Sequence, residues 1–178
     1  MLFTPTKAYK CILDVTPQIL SKMGVTALIL DIDNTMTTHD NPVPIDGMLD
    51  WLDNMKSSGI KMIVVSNNHS PRVEPFARML GLEFVPDGAK PLTKGYKIAA
   101  LRLNTPRKEI CTIGDQLFTD ILGAKLFGIK SILVPPIQYE KTVLFKIKRT
   151  AEKPFLPKEY KGNHLPMING KNISEVLK

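Results

Sequence analysis

At 178 residues, with 43% hydrophobic and 23% charged side chains, the chain suits one soluble domain able to bury a core without disulfide staples. Two distant cysteines, Cys11 and Cys111, exclude a disulfide framework and favour a reducing cytoplasm. No apolar run approaches the roughly 20 residues that span a bilayer, and the N-terminal stretch has no signal-peptide pattern, which excludes an integral membrane protein.

In chain order, helix-like segments alternate with short apolar runs. Thr16–Met23 reads as a helix closed by Gly24, followed by a strand over Leu28–Asp31. A helix over Pro44–Ser58 ends at Gly59 and leads to a strand over Lys61–Ser66. Ser70-Pro71 supplies an N-cap and a first-turn proline for a helix over Pro71–Leu80, and Gly81 ends it. Then come a short strand over Glu83–Val85, a helix over Thr93–Leu103, a strand over Ile110–Ile113, a helix over Phe118–Phe127 and a strand over Ser131–Val134. This order predicts an α/β fold: a three-layer, Rossmann-like, mostly parallel sheet with helices on both faces. Ligands of such sheets bind beyond the carboxyl ends of the strands. The polar residues collect at those ends.

Asp31-Ile32-Asp33-Asn34-Thr35 follows the first core strand. Two carboxylates placed where a strand gives way to a loop can converge, one attacking an electrophile while the other handles its proton. Ser66-Asn67-Asn68 follows the next strand, with a hydroxyl able to donate to a phosphoryl oxygen. Lys90, in Gly88-Ala89-Lys90-Pro91, offers an ammonium that neutralises phosphate and lowers the pKa of a neighbouring acid. Gly114-Asp115-Gln116-Leu117-Phe118-Thr119-Asp120 adds two acids, which with Asp31 make an oxygen-rich site of the kind Mg²⁺ takes.

These motifs, in this order over about residues 25–135, resemble the haloacid dehalogenase (HAD) superfamily of phosphatases. The entry Ile19-Leu20-Ser21-Lys22-Met23-Gly24-Val25 and the detail of the four motifs resemble its YqeG-like branch within subfamily IIIA, whose relatives include phosphatidylglycerophosphate phosphatases. The resemblance implies that Asp31 is the nucleophile of an aspartyl-phosphate intermediate and Asp33 the general acid/base. It implies that Ser66 and Lys90 hold the phosphoryl group; Asn67, next to Ser66, is a further residue expected to line the pocket and contact phosphate. It also implies that Mg²⁺ sits on Asp31, Asp115 and the carbonyl of Asp33, supported by Asp120. The intervals between motifs leave no room for a sizeable cap domain, so the site should be open and suited to a bulky substrate such as a lipid headgroup.

After residue 138 the chain becomes a basic tail, expected to be partly helical. Residues 139–178 carry nine Lys/Arg against four Asp/Glu, whereas residues 1–138 carry fifteen against thirteen. Val143, Leu144, Ile147 and Ala151 fall on one side of a helical wheel. That stripe is expected to pack on the domain and to leave Lys141, Lys146, Lys148 and Arg149 facing an anionic membrane surface. The overall expectation is a cytoplasmic phosphatase, peripheral on the inner face of a membrane, acting on a phosphorylated lipid headgroup such as phosphatidylglycerophosphate.

Alternatives stay open: a phosphatase of soluble esters or phosphoprotein, a phosphoryl-accepting receiver module, or a nucleic-acid binder. For the last, the basic tail has few interleaved aromatics and no recognition motif. His39, His69 and Arg72 are further residues placed near the site by the sequence, and Trp51 is expected in the core.

Overall fold

The computed structural model describes residues 2–138 and 142–172. Six parallel strands form the central sheet: β1 (Lys7–Ala8), β2 (Ala27–Leu30), β3 (Lys61–Val65), β4 (Glu83–Val85), β5 (Ile110–Gly114) and β6 (Lys130–Leu133). Their spatial order is β1-β6-β5-β2-β3-β4. The helices are α1 (Pro17–Lys22), α2 (Met48–Ser57), α3 (Ser70–Met79), α4 (Lys94–Leu103), α5 (Leu122–Phe127) and α6 (Val143–Glu152).

The alternation of β2 side chains shows why helices cover both faces. Leu28 and Leu30 join one buried cluster with Leu20 of α1, Trp51, Leu52 and Met55 of α2, and Val73 and Phe76 of α3. Ala27 and Ile29 join another with Tyr96, Ala99 and Leu103 of α4 and Ala124 and Phe127 of α5. A strand buried on both sides must be apolar throughout, as Ala27–Leu30 is. Trp51 belongs to this core, its indole Nε1 donating to the Val15 carbonyl at 2.7 Å.

Every expected strand and helix between residues 16 and 134 is present, with ends moved by a few residues. The helix expected over Pro44–Ser58 begins only at Met48, after Gly47 at φ 83°, a left-handed conformation that glycine tolerates. The helix expected over Phe118–Phe127 divides into a single π-helical turn, Leu117–Ile121, followed by α5. The edge strand β1 was not foreseen; its two residues pair with Ile132 and Leu133 of β6.

Residues 142–172 lie against the domain. Tyr9 and Lys161 form a β-bridge, Asp14 accepts from the backbone of Asn163 and His164, and Asp46 accepts from Asn169 and Gly170. A short hairpin of β7 (Met167–Ile168) and β8 (Lys171–Asn172) ends the described chain.

The orientation of α6 is the reverse of the sequence expectation. Val143, Leu144 and Ile147 face solvent at 73%, 77% and 62% exposure, while Arg149 and Glu152 are buried. Lys148 also turns inward to a cavity wall, Lys146 is exposed, and Lys141 lies outside the described residues. Arg149 is therefore not available to a membrane surface, and Lys148 faces the cavity. The physical reason is local charge: an acidic cluster beneath α6 needs a buried cation more than the domain needs four more aliphatic contacts.

Candidate active site

Sheet register brings the functional residues together. Leu30 pairs with both Val64 and Ile113, so Asp31, Ser66 and Asp115 emerge from adjacent strand ends within two residues of level. Asp31 is anchored by its backbone N–H to the Ile113 carbonyl (3.0 Å), and Ser66 by its own to the Val85 carbonyl (3.1 Å).

Lys90 is the centre of the arrangement. Its buried ammonium donates to Asp31 Oδ1 and to Asp120 Oδ1, each at 2.6 Å. Asn67 fixes the backbone that carries this lysine: its Nδ2 donates to the Lys90 carbonyl (2.9 Å), and its Oδ1 accepts from the Lys90 N–H (2.6 Å). Asn67 lines the pocket, but both ends of its amide are engaged in positioning Lys90. This differs from the phosphate contact expected from sequence. Ser66 Oγ accepts from the Asn68 N–H at 3.1 Å, which leaves the hydroxyl proton available to a ligand.

Asp33 is held apart from this chain of charges. Arg72 Nη2 donates to Asp33 Oδ1 (2.8 Å), Asn68 Nδ2 to Oδ2 (2.7 Å), and the Asp40 N–H to Oδ1 (3.1 Å). Just after Asp33 the chain turns tightly: Asn34 adopts φ 63°, which asparagine tolerates better than most residues, and its N–H donates to the Thr37 carbonyl at 2.7 Å. Arg72 thus acts on Asp33 rather than standing free.

Asp115 is buried at the end of β5, where Arg149 of α6 donates Nη2 to its Oδ2 and Nη1 to its backbone carbonyl (2.9 Å). Glu152 braces the guanidinium from behind (3.2 Å) and accepts from the Phe118 N–H (3.0 Å). Asp120 closes the group, its Oδ2 accepting from the Gln116 N–H at 3.2 Å. Gly114 makes this approach feasible, since a Cβ there would come within 2.6 Å of Asp120 Oδ2.

Burial and the neighbouring charges together set the direction in which each carboxyl shifts. Burial pushes the Asp31 carboxyl up to about 7, against the opposing pull of Lys90, with Asp120 and Asp33 pushing further upward. Burial also raises Asp115 well above the usual carboxylate range, opposed by Arg149. The neighbouring acids hold Lys90 in its charged form despite burial.

Asp31, Asp115 and Asp120 each bring a carboxylate oxygen within 4.8 Å of the others. Asp115 Oδ1 is buried and has no hydrogen-bond partner. An orphaned anionic oxygen among three buried acids fits a hard divalent cation such as Mg²⁺. Asp33, His39 and Asp40 form a second acidic group, but it is largely exposed.

A cavity of about 170 Å³ opens on these residues, lined by Asp31, Asp33, Ser66, Lys90 and Asp120 on the sheet side. His39, Asn67, Asn68, Gln116, Thr119, Phe145 and Lys148 complete the wall. His69 instead meets Asp87 at 2.5 Å on an exposed loop. Asn68, Phe145 and Lys148, together with the inward role of Arg149, were missed by the sequence reading. The signal for Lys148 and Arg149 was a cationic residue next to an apolar stripe, and that pattern fits a solvated face equally well.

A family profile for haloacid dehalogenase-like hydrolases matches residues 12–128. The chain is 32% identical over 163 residues to "Probable phosphatase YqeG" of Bacillus subtilis (strain 168), covering 92% of this chain and 95% of that one. Among solved structures, a haloacid dehalogenase-like hydrolase from Brucella suis 1330 superposes with a TM-score of 0.55 at 12% identity, over 70% of this chain and 88% of that one. An uncharacterized protein from Listeria monocytogenes serotype 4b gives 0.54 at 20% identity, over 66% and 85%. The two structural likenesses concern the fold.

Proposed function

The chain belongs to the haloacid dehalogenase-like hydrolases and is a phosphatase; from that premise we propose that it hydrolyses phosphate monoesters through an aspartyl-phosphate on Asp31. The observation that carries this reading is the buried chain Asp31–Lys90–Asp120, with Asp33 held separately at the rim of the same cavity. One acid is embedded among charges that shape its reactivity, and the other has its own donors.

In the first step the Asp31 carboxylate attacks phosphorus, the bond to the ester oxygen breaks, and Asp33 gives that oxygen a proton. In the second, Asp33 takes a proton from water as the water oxygen attacks phosphorus, and the bond to Asp31 breaks. Lys90 and Ser66 receive the phosphoryl oxygens, while Asn67 holds Lys90 in place. Asp31, Asp115 through its orphaned Oδ1, and the Asp33 carbonyl would hold Mg²⁺, with Asp120 in support. Bound there, Mg²⁺ would offset negative charge gathered around phosphorus.

For the substrate we propose a lipid headgroup phosphate, such as that of phosphatidylglycerophosphate. Two observations support it. The cavity, at about 170 Å³, is smaller than the roughly 300–1,000 Å³ that encloses a drug-sized ligand, so most of the substrate stays outside. Beside the cavity, α6 presents Val143, Leu144 and Ile147 to solvent with exposed Lys146 at their flank, a composition that suits an anionic bilayer surface. Among the described residues no helix is long and apolar enough to cross a membrane.

The test is phosphate release with and without Mg²⁺, comparing short-chain phosphatidylglycerophosphate, a sugar phosphate and a phosphopeptide side by side. Preference for the lipid supports the reading, and preference for a soluble ester overturns the lipid assignment while keeping the enzyme. Failure of Asp31→Asn to abolish turnover would remove the nucleophile.

A further inference from the structure

Among the described residues, the cations at or behind the cavity wall include Lys90, Arg72, Arg149 and Lys148, and the first three are matched to carboxylates: Lys90 to Asp31 and Asp120, Arg72 to Asp33, and Arg149 to Asp115 and Glu152. Lys148 differs. Its ammonium lines the cavity, and its hydrogen bond goes to Gln116 Oε1, a neutral amide. A partly buried ammonium is only weakly compensated by an amide oxygen. Gln116 Oε1 is shared, since it also accepts from Thr119 Oγ1 at 3.2 Å.

The wall around Lys148 is built from distant parts of the chain. Phase along α6 turns Phe145, Lys148 and Arg149 toward the sheet side, and the Phe145 ring meets His39 edge-on at 5.7 Å between centroids. Arg149 anchors the helix on Asp115, so Lys148 stands next to a fixed point rather than on a loose tail. The small cavity means that a substrate whose phosphoryl group sits at Asp31 brings its leaving group against this wall.

We propose that Lys148 recognises a second anionic group on the leaving-group side of the substrate. The substrate class is an organic phosphate monoester that also carries a phosphodiester, a second phosphate or a carboxylate near the scissile bond. The proposal rests on the phosphatase reading above. It assigns α6 the discriminating role of an element that a capless fold otherwise lacks.

A matched pair of esters tests it: n-propyl phosphate and propane-1,3-diol bisphosphate differ only in the second anion. The readout is the ratio of kcat/KM for the bisphosphate to kcat/KM for propyl phosphate, at saturating Mg²⁺. Lys148→Gln should lower that ratio about tenfold, the scale of one hydrogen bond to a charged group, and Lys148→Arg should restore most of it. An unchanged ratio in Lys148→Gln, whether both esters lose equally or neither loses, overturns the proposal. A short-chain phosphatidylglycerophosphate arm separates a lipid phosphodiester from a second phosphate as the group recognised. Should the wild type cleave none of these esters, the phosphatase reading fails by itself. Calorimetric binding of the same two esters to wild type and Lys148→Gln then decides Lys148: loss of preferential bisphosphate binding supports it, and equal binding overturns it.

Discussion

Arg149 donates to both the side chain and the backbone carbonyl of Asp115, from 34 residues farther along the chain. The contact ties the C-terminal helix to the acid whose free oxygen Oδ1 points to no protein donor. One oxygen of Asp115 is thereby fixed, and the other is left for a cation. Arg149 is a positioning residue for that acid.

Arg149→Met should therefore weaken Mg²⁺ binding about tenfold or more, as loss of an outer-shell partner commonly does. It should also destabilise the metal-free protein by roughly 3 kcal/mol, because Asp115 is left buried without its partner. Calorimetric Mg²⁺ titration and urea unfolding in EDTA measure the two effects. Arg149→Lys, which keeps the charge but not the paired donors, should fall between. Unaltered Mg²⁺ affinity in a folded Arg149→Met protein contradicts the positioning role.

The same contact shows what the sequence could and could not disclose. Five of the six strands of the central sheet, in chain sequence, and the acids at their ends were legible, because apolar runs and strand-end motifs are local patterns; the two-residue edge strand β1 carries no such pattern. Asp31, Asp33, Ser66, Lys90, Asp115 and Asp120 do converge. Asn67 was placed in the pocket but not on Lys90, since a side chain's choice between ligand and backbone depends on a loop 23 residues away. The facing of α6 was illegible for a stronger reason. Helical periodicity separates an apolar stripe from a charged one, but it cannot reveal that buried acids elsewhere demand the charged stripe inside.

Metal-free protein should lose stability as pH rises from about 4 to 7. Asp31 is held up to about 7 by burial, whereas in the unfolded chain it titrates near 3.9. Within that window the folded state keeps a proton that the unfolded state has released. Stability is thus fully present below the unfolded value and declines toward the folded one. Asp115, raised by the same cause, adds to the slope. Urea midpoints in EDTA should be lower at pH 8 than at pH 5, and Asp31→Asn should flatten the difference in part. A higher midpoint at pH 8 would carry the opposite sign and refute the burial argument.

Gly114→Ala should damage the site without touching any charge. The new Cβ would come within 2.6 Å of Asp120 Oδ2, and Asp120 cannot retreat without breaking its 2.6 Å bond to Lys90. Overpacking of this kind costs about 1–3 kcal/mol. Turnover should fall at least tenfold, in excess of what the loss of folded protein explains. Normal kcat in the folded fraction would show that the Lys90–Asp120 contact is dispensable.

The outward face of α6 provides the last test. Val143, Leu144 and Ile147 gain nothing from the domain in their present orientation, so replacing them should leave folding stability within about 0.5 kcal/mol, as for other surface positions. If they meet a bilayer, the double variant Leu144→Asp, Ile147→Asp removes buried apolar area and adds charge of the wrong sign for an anionic surface. Co-sedimentation with vesicles containing phosphatidylglycerol should then drop at least tenfold, while hydrolysis of propyl phosphate in solution persists. Lys146→Glu should weaken vesicle binding less, and chiefly at low salt, because one basic residue near the surface contributes only about 1 kcal/mol. Equal sedimentation of wild type and the double variant would leave the stripe without a role at membranes, and the lipid-headgroup assignment would lose its second support.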